Sequence, residues 1–336
     1  MVISSPCVRF AKVLLSPPIK MQPMKRLTWL LPLFIFCPTV RAETTLNTDA
    51  VKKVVVFLYA PKPDGTDADV TKPQGTGFLV TVHKKGDIHQ TYIVLVTARH
   101  MVDPYWAACS PEPQTPPDRR VYIRLNNKHY DSAKDGTGVS YLPVDLVKNG
   151  AKQYYVNDDI TVDAAVVLLP WGDWVKMQEQ YDFIPMPLSA FASADEIPKF
   201  KIGDSVASAG LVPGRSGEKR NYPFFKFGNI SNIPDEPTQV VCRLVRVWFI
   251  AANLVSGNSG SPIFYAPPPL LASPVSRGVL VGVQSSSIGD PVFGAADIAG
   301  MTPVEDIFKI FEKHSPPDAD LYRGDESKRK PEGEAP

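Results

Sequence analysis

The chain has 336 residues, 34 of them proline, and a formal net charge of +1. That length allows one or two domains with a sizeable core, and the near-balanced charge leaves no basic stripe of the kind a nucleic-acid partner requires. The apolar segments are short and rich in Val, Ile and aromatics, which predicts an all-β protein rather than a helical one.

The N-terminus reads as a targeting segment. Lys25-Arg26 gives a positive flank, Leu27 to Cys37 is a short apolar run, and Val40-Arg41-Ala42 offers small residues at the two positions a signal peptidase reads. The expectation is a signal region over 1–42, cleavage after Ala42, and a secreted or periplasmic product with no stable membrane insertion. The run is too short for a comfortable span; an uncleaved anchor is the alternative. Met21 and Met24 are further candidate starts. Phe36 before Cys37 is too bulky for a lipidation site. Losing 1–42 removes six basic residues and no acids, which takes the net charge to about −5. Cys109 and Cys242 remain. Export permits a disulfide, but sequence does not place their Cα atoms together, and two separate small core hydrophobes is the preferred expectation. No cysteine or histidine spacing suits a metal, and no cofactor is called for.

In chain order, 43–50 reads as a tether, Val51 to Tyr59 as a first strand and Lys62 to Pro73 as a polar loop. Strands follow at Gly75 to Val82 and Thr91 to Val96, joined by a hairpin with Gly86-Asp87 at its tip. The second runs into Thr97-Ala98-Arg99-His100. His100 stands out as a candidate base because it ends a β-rich run among small residues; His83, His89, His129 and His314 read as ordinary surface or core positions. Tyr105 to Arg120 is a Pro-rich loop, and Val121 to Leu125 and Val139 to Val147 are further strands.

Asp163 then enters the apolar run Ala164-Ala165-Val166-Val167-Leu168. A buried lone carboxylate is costly, a tension that resolves if it orients a histidine; capping a turn at the strand entrance is the plainer alternative. Trp171 to Ile197 reads as a linker. A second strand set begins at Ile202 to Gly210 and continues through Phe224 to Ile230 and Val240 to Ala251. Next comes Val255-Ser256-Gly257-Asn258-Ser259-Gly260-Ser261-Pro262. Glycines on both sides free the backbone to hold Ser259 on an open turn, with the N–H groups of Gly257 and Ser259 converging as an acyl-transfer site needs; a Gly/Ser/Asn hairpin is the competing reading. A Pro-rich loop (267–274), a strand at Val279 to Ser287, a helix from Pro303 to His314 and a charged disordered tail (315–336) complete the chain. Arg323-Gly324-Asp325 in that tail reads as a chance integrin-like triplet.

The order His100, Asp163, Ser259 across two β-rich halves resembles the chymotrypsin-like serine proteases, particularly the bacterial trypsin-like peptidase domains of the high-temperature-requirement type. Gly75-Thr76-Gly77-Phe78, Leu95-Val96-Thr97-Ala98-Arg99-His100, Asp163-Ala164-Ala165-Val166, Gly257-Asn258-Ser259-Gly260-Ser261-Pro262 and Met301-Thr302-Pro303 carry the likeness, over about Val51 to His314. It implies two six-stranded antiparallel β-barrels (51–170 and 198–302) around linker 171–197, a C-terminal helix over 303–314, and a cleft where Ser259 attacks peptide carbonyls with His100 as base and Asp163 orienting it. Protein or peptide substrates are the implied partners.

Departures carry expectations of their own. Arg99 is unusual before the histidine, and its charge is expected to lower the base's pKa. Asn258 replaces the aspartate that grips a new N-terminus in digestive trypsins, so activation by an N-terminal salt bridge is not expected. Asn253 stands where trypsins carry an acid. The glutamyl endopeptidases are similar at the nucleophile motif but use a pocket histidine, and none lies between His129 and His314. Asn253 and Ser285, Ser286 and Ser287 as pocket wall imply a small or apolar substrate side chain. No PDZ domain is expected after the helix. A catalytically silent protease-fold binding module is the alternative function. A serine esterase ranks last, because the Gly-x-Ser-x-Gly elbow is missing.

Overall fold

The computed structural model describes residues 46–171, 174–240, 242–254, 257–266, 278–290 and 294–324. The expected signal region, Val255-Ser256, the expected loop 267–274 and the tail from 325 onward lie outside the described residues.

Asn47 accepts from the Ala50 N–H and caps α1 (Thr48–Val54), whose Val51 and Val54 are buried. The first strand, β1 (Val55–Pro61), therefore starts four residues later than the apolar run suggests, and the predicted tether is partly helical. The predicted loop at 62–73 is also shorter: β2 (Ala68–Lys84) begins at Ala68, which pairs with Pro61 across a bulged register.

β3 (Asp87–Thr97), α2 (Arg99–Val102), α3 (Pro104–Ala107), β4 (Arg119–Asn126), β5 (Val139–Lys148), β6 (Ala151–Lys152), β7 (Tyr154–Val156) and β8 (Ala165–Leu168) complete a nearly closed first barrel, with the strand order β6-β5-β4-β1-β2-β3-β8-β7. Its strands read as continuously apolar because both faces are buried. Val56, Leu58, Leu79, Ile93, Leu95 and Val167 fill the barrel interior. Their neighbours Phe57, Phe78, Val80, Val94, Val96 and Val166 belong to a second core shared with the other barrel and the C-terminal helix.

The predicted linker is structured. It holds α4 (Trp174–Gln180) and β9 (Met186–Pro187), which pairs in parallel with β2, and it buries Phe183, Leu188 and Phe191. A closed six-stranded barrel follows, ordered β10-β11-β14-β17-β16-β15. Its strands are β10 (Ser205–Gly210), β11 (Phe224–Asn232), β14 (Trp248–Ala251), β15 (Pro262–Tyr265), β16 (Val279–Asp290) and β17 (Gly294–Pro303), while β12 (Thr238–Val240) and β13 (Arg243–Val245) form a separate hairpin. The architecture is all-β, two antiparallel barrels of the chymotrypsin type.

The helix α5 (Val304–His314) follows, burying Val304, Ile307, Phe308, Ile310 and Phe311. At about 1.5–3 kcal/mol per buried side chain, this face holds the helix on the barrels.

Two expectations need correction. Residues 315–324 are ordered: β18 (Ala319–Asp320) pairs with β2, and the Arg323 guanidinium pairs with Glu305 at 2.7 Å over the Phe308 ring. Arg323 is thereby committed to α5 rather than to a partner. Cys109 and Cys242 are not separate core residues but a disulfide, with Cα atoms 6.2 Å apart. It joins the segment after α3 to the β12–β13 hairpin, beside a small core of Trp106, Val245 and Val247.

Candidate active site

The β3–β8 ladder sets the first half of the site. Thr97 pairs with Ala165 in antiparallel register, so residues just beyond Thr97 face residues just before Ala165. His100 and Asp163 occupy those positions. Asp163 Oδ1 accepts from the His100 backbone N–H at 2.9 Å, and Oδ2 bonds His100 Nδ1 at 2.8 Å. Thr302 Oγ1 donates to the Asp163 carbonyl at 3.1 Å, tying this corner to the second barrel. The buried carboxylate thus has two donors, which offsets its desolvation. Burial pushes the His100 imidazole down, but the charge and hydrogen bond of Asp163 outweigh it and the pKa is raised. Arg99 does not contribute as expected. Its Nε and Nη2 both reach Asp103 Oδ2 at 3.2 Å, and its guanidinium lies 5.4 Å from the centre of the Trp106 ring.

Ser259 lies on the turn before β15. Gly257, Asn258, Gly260 and Ser261 are buried, whereas Ser259 is partly exposed. Gly257 and Gly260 have φ of +93° and +86°, where L side chains are strained. A Cβ on Gly260 would collide with the Thr76 carbonyl and the Thr97 hydroxyl, and one on Gly257 would lie 2.7 Å from the Pro213 ring. The sequence signal for this turn therefore has a steric cause.

Thr76, on β2, holds the turn from the first barrel. Its N–H donates to the Ser259 carbonyl at 2.9 Å. Its hydroxyl donates to the Gly257 carbonyl at 2.8 Å and accepts from the Leu211 N–H at 2.9 Å. Its carbonyl accepts from Thr97 Oγ1 at 2.8 Å. Asn258 Nδ2 donates to the Leu211 carbonyl at 2.8 Å, and Lys226 Nζ donates to Asn258 Oδ1 at 3.1 Å.

The histidine and serine sides meet at Gly75. A Cβ there would lie 2.6 Å from Met101 Cε, next to His100, and 3.0 Å from the Ser259 carbonyl oxygen. Among the described residues no hydrogen bond joins Ser259 Oγ directly to His100, and none takes the Gly257 or Ser259 N–H.

The expected pocket residues divide. Asn253 and Ser287 are exposed and Ser286 is half-buried, whereas Ser285 is buried and its hydroxyl donates to the Gly300 carbonyl at 3.3 Å. Gln284, unremarked in the sequence, is buried with Oε1 unpartnered among the described residues. A polar residue at the end of the apolar run Val279 to Val283 was its signal, much as Asp163 stood at the start of one. Thr76 lay within the Gly75-Thr76-Gly77 motif without being singled out, and Lys226 lay in no motif. Among the described residues no cluster of three metal-ligating side chains occurs, and no helix is long and apolar enough to cross a membrane.

No family model and no curated protein matches the chain. Among solved structures it is similar to the MamO protease domain from Magnetospirillum magneticum (13% identity, 78% of this chain and 97% of that one, TM-score 0.44). It is also similar to the Rv3671c protease from M. tuberculosis in its active form (16% identity, 80% and 83% coverage, TM-score 0.43). A third is the HtrA-type protease AlgW with a decapeptide (14% identity, 80% and 66% coverage, TM-score 0.42).

Proposed function

We propose that the protein is an exported serine endopeptidase that cleaves protein or peptide substrates through an acyl-enzyme. The observation that carries this reading is the double hold of Asp163 on His100 beside the glycine-flanked turn that exposes Ser259 alone. With Nδ1 donating to Asp163, Nε2 is the nitrogen left to accept a proton. Ser259 Oγ attacks the substrate carbonyl as Nε2 takes its proton, and the imidazolium that forms is stabilised by Asp163. The tetrahedral oxyanion is bound by the N–H groups of Gly257 and Ser259. Collapse transfers the proton from Nε2 to the leaving amine and leaves the acyl group on Oγ. Water, deprotonated by the same nitrogen, then releases it. The Ser259–His100 hydrogen bond that this mechanism needs is of a kind that forms in good geometry only when substrate is bound.

Export rests on the apolar run and small-residue site near Ala42, and the disulfide between Cys109 and Cys242 suits an oxidising compartment. Asn253 and Ser286 leave the primary pocket neutral, which favours a small or apolar side chain.

A fluorophosphonate probe on the mature protein and on Ser259→Ala, read by intact mass, tests the reading. One adduct on the former and none on the latter is expected. No adduct on folded wild-type protein would overturn it in favour of a binding module.

A further inference from the structure

Arg124, on β4, is 2% exposed and is the largest fully buried side chain described. A guanidinium in that setting normally faces a carboxylate. Here its hydrogen-bond partners are backbone carbonyls of the loop after β10: Nη2 donates to Gly217 at 2.7 Å and to Glu218 at 2.9 Å, and Nη1 reaches Ser216 only at 3.5 Å. Nε is buried without a partner. The rings of Tyr59 and Tyr141 lie 6.0 and 5.9 Å from its central carbon. Carbonyl dipoles and π faces soften the charge without neutralising it, and no ion pair to Arg124 or Arg215 occurs among the described residues.

Arg124 lines a cleft of about 600 Å³ between the first barrel and the loop 214–218. Tyr59, Tyr141 and Val70 give it apolar and aromatic walls, and Arg215 stands exposed at its rim. Glu218 also lines it and is exposed. The lining side chains therefore carry two cations and one anion. The cleft adjoins the nucleophile turn on two sides. Tyr59 pairs with Pro73, two residues from the Gly75 that abuts the Ser259 carbonyl. On the other side, Pro213, whose ring packs under Gly257, leads directly into Gly214 on the cleft wall.

We infer that this cleft is a subsite for an acidic side chain of the peptide substrate, at a position other than the one entering the primary pocket. A glutamate or aspartate would lay its methylenes between Tyr59, Tyr141 and Val70 and bring its carboxylate to Arg124 and Arg215. It would supply the counter-charge the fold leaves out, through charge-assisted bonds from a planar guanidinium to the carboxylate. The inference deepens the endopeptidase reading and rests on it.

Quenched fluorogenic octapeptide libraries, each with Glu, Asp or Gln fixed at one position, provide the test. At one position outside the primary pocket the Glu or Asp set should be cleaved about 10-fold faster than the Gln set, with the ratio shrinking at 1 M salt. In Arg215→Gln, and more fully in Arg124→Gln, that ratio should fall towards one. Because Arg124 also holds the loop, the exposed Arg215 keeps the test sound if Arg124→Gln folds poorly. Equal rates at every position, or a ratio untouched in Arg215→Gln, would overturn the inference. Should the wild type neither cleave nor take fluorophosphonate, the peptidase reading fails separately. Anisotropy of fluorescein-labelled Glu and Gln pools on Ser259→Ala protein then tests the cleft alone. Tighter binding of the Glu pool that is lost in Arg215→Gln supports it, and equal binding of the two pools refutes it.

Discussion

Lys226 Nζ donates to Asn258 Oδ1 at 3.1 Å, which puts an internal ammonium against the residue that precedes Ser259. Asn258 is 1% exposed, and its other amide atom holds Leu211. The cation comes from β11 and is in place as soon as the chain folds. Lys226→Met should slow fluorophosphonate labelling about 10-fold, as expected for a partly buried charged hydrogen bond of about 1.5 kcal/mol. KM for a fluorogenic peptide should stay within twofold, and Lys226→Arg should recover part of the rate. Burial also lowers the Lys226 pKa. If its charged form holds the turn, activity should decline at a pH below the ordinary lysine range, and that alkaline limb should vanish in Lys226→Met.

Asp163 raises the His100 pKa against the opposing effect of burial. The proposed mechanism needs the neutral imidazole, so the acid limb of kcat/KM should lie above the free-histidine value of about 6.5. Asp163→Asn removes both the charge and the acceptor. Its acid limb should move below the wild-type one, and kcat should fall by about 10⁴, the loss known when an orienting aspartate no longer fixes the tautomer. The stability term has the same origin. The folded imidazole binds its proton more tightly than the unfolded one, so this stabilisation is full below about pH 6.5. It is lost as pH rises through the folded pKa, and Asp163→Asn should flatten that slope in urea titrations.

The disulfide between Cys109 and Cys242 closes a long loop, with 133 residues of sequence separation, and clamps the β12–β13 hairpin beside Trp106. Cys109→Ser/Cys242→Ser should destabilise the protein by about 2–4 kcal/mol in chemical denaturation. Dithiothreitol should lower the wild-type midpoint to that of the double variant and leave the variant unchanged. Equal midpoints in all four conditions would mean the clamp contributes nothing.

The parts of this protein legible in its sequence are those where one residue type has few physical uses. Asp163 in an apolar run needed a partner, and it has two donors from His100. Glycine on both sides of Ser259 needed positive φ or close approach, and it has both. The barrel strands were legible because burial on both faces demands continuous apolar runs. What stayed hidden depends on distance in sequence. Nothing near Cys109 says that Cys242 lies beside it, and Lys226 is one lysine among aromatics until Asn258 is seen next to it. Arg99 misled for a different reason: its partners Asp103 and Trp106 are close in sequence, but only the fold shows that they take its charge. The run Val51 to Val54 read as strand because β-branched residues favour it; the Asn47 cap and the spacing of two buried valines decided for a helical turn.

Thr76 joins the two halves of the candidate site more directly than His100, Asp163 or Ser259 does. Its hydroxyl donates to the Gly257 carbonyl and accepts from the Leu211 N–H, so one buried oxygen fixes the nucleophile turn and the chain end of β10 together. Valine has nearly the same shape and neither bond. Thr76→Val would leave a buried carbonyl and a buried N–H unpaired, at about 1–3 kcal/mol each, and the turn would be free to relieve them by moving. The expected result is a loss of stability of about 2 kcal/mol or more, together with a fall in kcat and in fluorophosphonate labelling that exceeds any change in KM. Thr76→Ser keeps the oxygen and should restore labelling while losing only the stability of one buried methyl. If Thr76→Val and Thr76→Ser label alike, the threonine is a packing residue and the turn is held by its backbone bonds alone.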